Sequence, residues 1–117
     1  MPELIERGVT IPVPGGKSIT EFVGHAATQD DAVSIAVMDA PAGWDEPFQA
    51  PDFDEFTVVL AGQLIVDHDL GTTIVSAGQA VVTRAGERIR YRTAEGARYV
   101  AICLPAFHID LARREEG

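Results

Sequence analysis

Carboxylates, arginines and aromatic side chains are the groups in this chain that could do chemistry, and they lie in separate stretches. Residues 18–83 contain eleven Asp or Glu residues and no Lys or Arg, whereas five of the nine basic residues fall between residues 84 and 98. A carboxylate in an apolar cavity acts as a general acid or base, and a row of guanidinium groups can bind anions in bidentate pairs. We therefore expect the fold to set an acidic half against a basic strand.

Thiols, imidazoles and phosphate-binding loops add few candidate sites to this sequence. The single cysteine, Cys103, excludes an intramolecular disulfide, and we expect it to pack as a small hydrophobe. The Gly16-Lys17 pair is not a phosphate loop, because the required glycine five residues earlier is Ile11. The three histidines lie far apart in the sequence. One metal site stays open as an alternative, and it would join His25 with Glu55 and either Asp54 or Asp52.

The composition excludes several partners. A net charge of −9 disfavours nucleic acids and anionic membranes, which bind clusters of Lys and Arg. No segment approaches the roughly 18 apolar residues of a membrane span, and the N-terminus lacks a basic segment followed by an apolar run. We expect a cytoplasmic protein that binds neither nucleic acid nor membranes.

Short β-branched runs between Gly, Pro and Asp turns predict about eight strands in one domain over residues 1–117. Ala61-Gly62 is predicted to be a hairpin turn between two of them, and only residues 108–116 are predicted to be helical. This pattern predicts an all-β antiparallel sandwich or barrel with a short C-terminal helical turn. The predicted strands are residues 19–26, 33–38, 53–60, 63–66, 72–76, 79–83, 89–93 and 98–104.

Alternation divides two strands into opposite faces, and in one of them it predicts which face points inward. Ile89 and Tyr91 should point into the barrel, because Arg88, Arg90 and Arg92 occupy the other face. The strand after Asp54 has two largely apolar faces, which predicts that a partner subunit covers the outer one and that the protein is a homodimer. Those faces are Glu55, Thr57 and Val59 on one side and Phe56, Val58 and Leu60 on the other.

The charged faces leave alternatives open. The arginine face is interpreted as a solvated or dimer-edge surface, with anion binding as the alternative. Asp52 and Asp54 are either solvated or paired with Arg90 or Arg92, and exposed pairs of that kind contribute only about 0–1 kcal/mol.

Two motifs resemble the conserved boxes of the cupin superfamily. Within about residues 42–66, Glu55 stands seven residues before Gly62, as in the first cupin box. Within about residues 71–93, residues 84–89 fall where the second box reads Pro-x-Gly-x-x-His. A closer resemblance is to the ethanolamine-utilisation (EutQ-like) cupins, which share the Asp54-Glu55 pair, lack the second-box His and end in a strand followed by Pro-Ala. The resemblance implies a jelly-roll β-barrel and a dimer more strongly than an activity.

The same resemblance implies a degenerate metal site. Of the usual cupin ligands only Glu55 is retained, and without imidazole donors we expect no cofactor and disfavour a divalent metal. The histidine positions hold other residues: Gln49 and Pro51, or Phe48 and Ala50 under the alternative spacing, and Ile89.

Two functions follow from this site. The first is a ligand-binding or accessory metabolic protein whose barrel cavity takes a small organic molecule. The second is a metal-independent isomerase, lyase or cyclase in which Glu55 moves a proton and Tyr91 or Arg90 stabilises the developing charge. The alternative for Glu55 is a structural pair with an arginine. The expected ligand-binding residues are Trp44, Phe48, Gln49, Asp54, Ile89 and Cys103.

Overall fold

Eight antiparallel strands and one helical turn form the regular structure of this chain in a computed structural model that describes residues 1–115. The main ladder runs β1-β2-β3-β8-β4-β5, and β6 and β7 also pair with β4. The predicted antiparallel jelly roll is confirmed, with β1 as a strand that the sequence pattern did not predict. The elements are β1 Val9–Ile11, β2 Ser18–Val23, β3 Ser34–Ala40, β4 Asp54–His68, β5 Gly71–Ser76, β6 Ala80–Thr83, β7 Ile89–Arg92, β8 Ala97–Leu104 and α1 Ile109–Ala112.

Strand β4 belongs to both sheets of the barrel. Its first half pairs with β8 and β6, and its second half pairs with β5 and β7. The pairing with β8 shifts register between Val59 and Ala61, and Gly62 has a φ of +75°. The predicted hairpin at Ala61-Gly62 is wrong: the glycine serves a β-bulge that bends one continuous strand, and the hairpin lies at residues 68–71. A bulge and a hairpin turn both use glycine at positive φ, so the local sequence does not distinguish them.

The predicted alternation is confirmed in β4 and β7. Ile89 and Tyr91 are 1% and 3% exposed, and the inner face of β4 is buried, whereas Val58 and Leu60 on its outer face are 40% and 51% exposed. Apolar side chains form a buried core in the barrel, and burial of each large one contributes about 1.5–3 kcal/mol. This core includes Val59, Leu64, Val66, Val75, Ile89 and Tyr99.

The C-terminal segment turns back toward the opening of the barrel. Helix α1 has only four residues, begins after His108 and ends at Arg113, whose φ is +53°. Arg114 then forms a β-bridge with Gln49. The predicted helix over residues 108–116 is therefore too long within the described part, and Glu116 lies outside the described residues. No helix within residues 1–115 is long and apolar enough to span a membrane.

Replacing Gly62 with Ala is expected to destabilise the protein more than the matched change Gly78→Ala. Both glycines have positive φ, which costs an L-residue about 1–2 kcal/mol. A Cβ at Gly62 would also collide with the carbonyl oxygen of Gly96, whereas nothing lies within 4 Å of one at Gly78. Urea unfolding should show a loss of about 3 kcal/mol or more for Gly62→Ala and about 1 kcal/mol for Gly78→Ala. Equal losses would contradict the packing of the bulge.

Candidate functional site

A cavity inside the barrel adjoins the apolar core, and Met38, Tyr91 and Tyr99 contribute to both. Its walls are largely apolar, formed by Ile19, Ala36, Met38, Phe53, Ala101 and Phe107. Polar side chains also face the same space, among them Lys17, Glu21, Glu46, Gln49, Glu55, Tyr91 and Arg114. A mostly apolar wall with a few convergent polar groups is typical of small-molecule sites.

Glu55 lies on the cavity wall with little solvent around it. Strand pairing sets it opposite Thr83 of β6 and Cys103 of β8, and the residue is 8% exposed. Burial and, to a smaller extent, the nearby Glu46 carboxylate raise the pKa of Glu55 to about 7 against the opposing effects of Lys17 and Tyr91. A carboxyl group with a pKa near 7 can either donate or accept a proton at neutral pH.

Tyr91 provides a hydroxyl next to that carboxyl. Its oxygen is 2.9 Å from Thr83 Oγ1, and it lies close enough to Glu55 to stabilise the ionised carboxylate. Burial raises the pKa of Tyr91 well above its usual value, and the Glu55 charge adds to this effect. The phenol therefore remains protonated and available as a hydrogen-bond donor.

Glu46, Gln49 and Arg114 form a hydrogen-bonded group at the opening. Arg114 Nη2 lies 3.4 Å from Glu46 Oε2, and its Nε donates to Gln49 Oε1 at 3.4 Å. Gln49 Nε2 donates to Glu46 Oε1 at 3.2 Å. Burial raises the pKa of Glu46, while Lys17 and Arg114 lower it. Sequence reasoning included Gln49 but missed Glu46 and Arg114, because the C-terminal segment reaches the barrel only through long-range folding.

Lys17 is a further cavity residue that the sequence interpretation missed. Its Nζ lies 4.2 Å from the centroid of the Trp44 ring and 5.3 Å from that of Tyr99. Burial lowers the pKa of Lys17, whereas Glu46 and Glu55 raise it. One feature of the sequence distinguishes it, because this is the single lysine of the chain.

A second, more open cavity adjoins the first. It is lined by Trp44 and by the segment preceding β2, and we call it the vestibule. Four residues line both spaces: Lys17, Ile19, Glu46 and Arg114. These residues separate the vestibule from the Glu55 cavity, so a ligand passing from one to the other would contact them.

The structure brings together only part of the predicted site. Glu55, Tyr91, Gln49 and Cys103 line the cavity, and Trp44 lines the vestibule. The remaining predicted residues lie elsewhere. Ile89 is in the apolar core, and Phe48, Asp54 and Arg90 lie outside the cavity lining.

Arg90 and Asp54 instead take part in ion pairs on the outer wall. Arg90 Nη2 lies 2.9 Å from Asp67 Oδ2 and its guanidinium carbon lies 5.0 Å from the Phe48 ring centroid, because alternation along β7 directs Arg90 away from Tyr91. Asp54 pairs with Arg84 at 3.5 Å. The expected role of Arg90 in stabilising charge inside the barrel does not fit this position.

The outer ion pairs also correct the expected charge arrangement. Asp67 accepts hydrogen bonds from Arg92 and Arg90, which hold the pKa of its carboxyl well below its usual range. Asp52 pairs with Arg113 at 2.7 Å, so Asp52 and Asp54 do not pair with Arg90 or Arg92. Asp52, Asp54 and Asp67 therefore pair with arginines on the outside of the barrel, and the arginines of residues 84–92 do not line the cavity.

The donors around Glu55 are a poor match for a divalent metal. The same cavity is lined by two further carboxylates, Glu21 and Glu46, and by Gln49, a phenol, a thiol and an ammonium group, and no imidazole is among its described lining residues. His25 lies away from it, with its ring centroid 5.6 Å from that of His108. Within residues 1–115, no three His, Cys, Asp or Glu side chains are grouped to hold a metal ion. Transition metals prefer imidazole or thiolate donors, so this set does not fit them.

Comparison with curated proteins gives one informative relative. The chain is 42% identical over 113 residues, 95% of its length, to a Myxococcus xanthus protein named Endoribonuclease YbeY. It spans 38% of that relative's length. No family model matches the chain.

Solved structures resemble the chain over most of its length. A putative ethanolamine utilisation protein EutQ from Salmonella typhimurium is 26% identical, covers 78% of this chain and 71% of its own, and has a TM-score of 0.63. A Streptomyces PAC13 variant solved with uridine is 15% identical, with 99% and 90% covered and a TM-score of 0.77. The polyketide cyclase RemF from Streptomyces resistomycificus is 16% identical, with 89% and 80% covered and a TM-score of 0.74.

Replacing Glu55 with Gln is expected to stabilise the protein at pH 8 and not at pH 4. The pKa of Glu55 in the folded protein, about 7, lies above the ordinary value of 4.5, so the unfolded chain releases this proton first as the pH rises. As the pH rises from about 4.5 to about 7, ionisation of this group should therefore lower the free energy of unfolding of the wild type by about 3 kcal/mol. Urea unfolding of both proteins across this range measures the difference. A difference that does not change with pH would contradict the raised pKa.

Proposed function

Because this chain has the EutQ-like form of the cupin fold, we propose that it binds a small organic molecule in the barrel cavity beside Glu55. The observation that carries the proposal is the convergence of Lys17, Glu46, Glu55 and Arg114 in a space whose remaining walls are mostly apolar. Burying charged groups is costly, so their concentration in one cavity favours a binding role over simple packing.

The lining defines the chemistry of the expected ligand. The apolar walls suit a short carbon skeleton, and Tyr91 and Lys17 can donate hydrogen bonds to its oxygen atoms. Glu55 can accept a hydrogen bond when ionised and donate one when protonated. We therefore propose a polar metabolite that carries carbonyl or hydroxyl groups.

A second function, proton-transfer catalysis, is favoured by the pKa of Glu55. In an isomerase, lyase or cyclase without a metal, the Glu55 carboxylate would take a proton from a carbon next to a carbonyl group. The Tyr91 hydroxyl would donate a hydrogen bond to the oxygen on which negative charge develops. Arg90 has no part in this step because it pairs with Asp67 on the outer wall.

RNA cleavage is not proposed for this chain, although it is the activity in the name of the Myxococcus relative. The net charge of −9 disfavours binding to a phosphate backbone. The chain also spans only 38% of that relative, so the name describes a much longer protein.

We also propose that the protein is a homodimer that associates through the outer face of β4, β6 and β8. Four apolar side chains on these strands are 40–51% exposed: Val58, Leu60, Val82 and Leu104. Strand pairing makes the face continuous, because β4 lies between β6 and β8 along this stretch. Contiguous exposed apolar surface is typical of protein interfaces.

Binding and turnover can be tested with matched variants. Screening small polar metabolites by thermal unfolding should identify a ligand that stabilises the wild type, by about 2.7 kcal/mol at a hundredfold excess over Kd. If the ligand is turned over, Glu55→Gln should reduce kcat by at least about 100-fold. Glu87→Gln, an exposed change outside the cavity, is the control and should leave both binding and turnover unchanged.

The outcomes separate the two functions. Stabilisation without product supports binding alone, and product formation that depends on Glu55 supports catalysis. Turnover that survives Glu55→Gln would rule out the proton-transfer role. A ligand that stabilises the Glu55→Gln variant and the wild type equally would be assigned to a site outside this cavity.

Val58→Asp is expected to convert the dimer to a monomer, because a charge would be buried in the proposed interface. Ile74→Asp is the matched control, since Ile74 is 56% exposed on β5 in the other part of the barrel. Sedimentation equilibrium at micromolar concentration should give a monomer only for Val58→Asp. A monomeric wild type would disprove the dimer.

A further inference from the structure

We propose that Lys17 is a nucleophile in this cavity and that the ligands are aldehydes or ketones, which its amine captures as imines. The inference rests on the proposed binding function, because the carbonyl compound must first enter the barrel. It adds the chemical class of the ligand and a covalent step that neither the fold nor the relatives assign.

The position of Lys17 is the first argument. It lines both the vestibule and the inner cavity, so its amine lies where an entering molecule would pass. Its Nζ lies over the rings of Trp44 and Tyr99, at 4.2 and 5.3 Å from their centroids. Among the described residues it has no ion pair within 4.0 Å, in contrast to Arg114, which pairs with Glu46 at 3.4 Å. The amine is therefore not held by a carboxylate and remains available for reaction.

The surroundings of Lys17 favour the reactive form of the amine. Imine formation requires the neutral amine, and burial shifts the pKa of Lys17 downward, against the effects of Glu46 and Glu55. Arg114 acts in the same direction as burial. The other buried nucleophile, Cys103, has its thiol pKa raised by burial and by Glu55, which leaves it protonated and unreactive.

The cavity also provides the proton transfers that the reaction needs. The Lys17 nitrogen attacks the carbonyl carbon and forms the C–N bond, while the electron pair of the C=O π bond moves to oxygen. The nitrogen loses a proton and the oxygen gains one, which gives a carbinolamine. Glu55 in its protonated form then donates a proton to the hydroxyl group, the C–O bond breaks and water leaves as the nitrogen lone pair forms the C=N bond of an iminium ion. The iminium nitrogen then gives its proton to the Glu55 carboxylate, which restores the protonated acid. The net change is amine plus carbonyl compound to imine plus water, with no oxidant or reductant.

Reductive trapping tests this directly, because the protein has a single lysine. Wild-type protein is incubated with propanal or pyruvate and sodium cyanoborohydride at pH 7, and peptide mass mapping locates the reduced adduct. An Arg98→Lys variant provides an internal comparison, since Arg98 is 54% exposed on β8 outside the cavity. We expect Lys17 to be modified at least about 10-fold faster than the lysine introduced at position 98, because an ordinary exposed lysine is almost fully protonated at pH 7.

Two variants and the metabolite screen complete the design. Lys17→Arg keeps the positive charge and Lys17→Met keeps the length of the side chain, and both should lose the adduct at this position while circular dichroism confirms folding. Modification of Lys17 no faster than at position 98 would overturn the inference. If the screen nonetheless finds cavity ligands, the binding function stands and only the carbonyl class is wrong. If neither ligands nor selective trapping are found, both proposals fail.

Discussion

The bend in β4 is the constraint on which the rest of this structure depends. A single 15-residue strand must pair with β8 and β6 in one sheet and with β5 and β7 in the other, and it changes direction at the bulge before Gly62. The bend holds because Gly62 has positive φ and packs without a side chain against the backbone at Gly96. It sends Glu55 into the cavity from the first half of the strand, while Asp67 in the second half faces outward to the arginines.

The same strand therefore carries two carboxylates with opposite electrostatic behaviour. Glu55 has no arginine partner at ion-pair distance among the described residues, so burial dominates and its pKa rises to about 7. Asp67 is also mostly buried, but it accepts hydrogen bonds from two guanidinium groups that favour its ionised form. The outer pairs maintain the wall of the barrel. The Glu55 carboxyl can exchange a proton near neutral pH. The opposite pKa shifts of Glu55 and Asp67 therefore distinguish a candidate functional carboxylate from a structural one.

The chemistry proposed for the cavity depends on its residues and not on the fold. Solved structures with this fold include a EutQ protein and a polyketide cyclase, and a shared fold alone does not transfer an activity. Gln49 occupies a position where the cupin resemblance implies a histidine, and Glu46 and Arg114 complete a hydrogen-bonded group around it. Together with Lys17, this set suits recognition of a polar organic molecule and proton transfer better than metal coordination.

Local patterns in the sequence determined most of the strands, the inward direction of Ile89 and Tyr91, and the presence of a C-terminal helical turn, because alternation and turn chemistry act over a few residues. The inward position of Glu55 was implied only by the cupin resemblance. They did not distinguish a hairpin from a bulge at Gly62, since both require positive φ. They also could not find the group at the opening, because Lys17, Glu46 and Arg114 come from three distant segments that only the closed barrel brings together. Charge counts likewise did not show that the arginines pair on the outer wall. Only tertiary packing decides which acidic and basic side chains lie on the same face, and hence which carboxylate remains free to react.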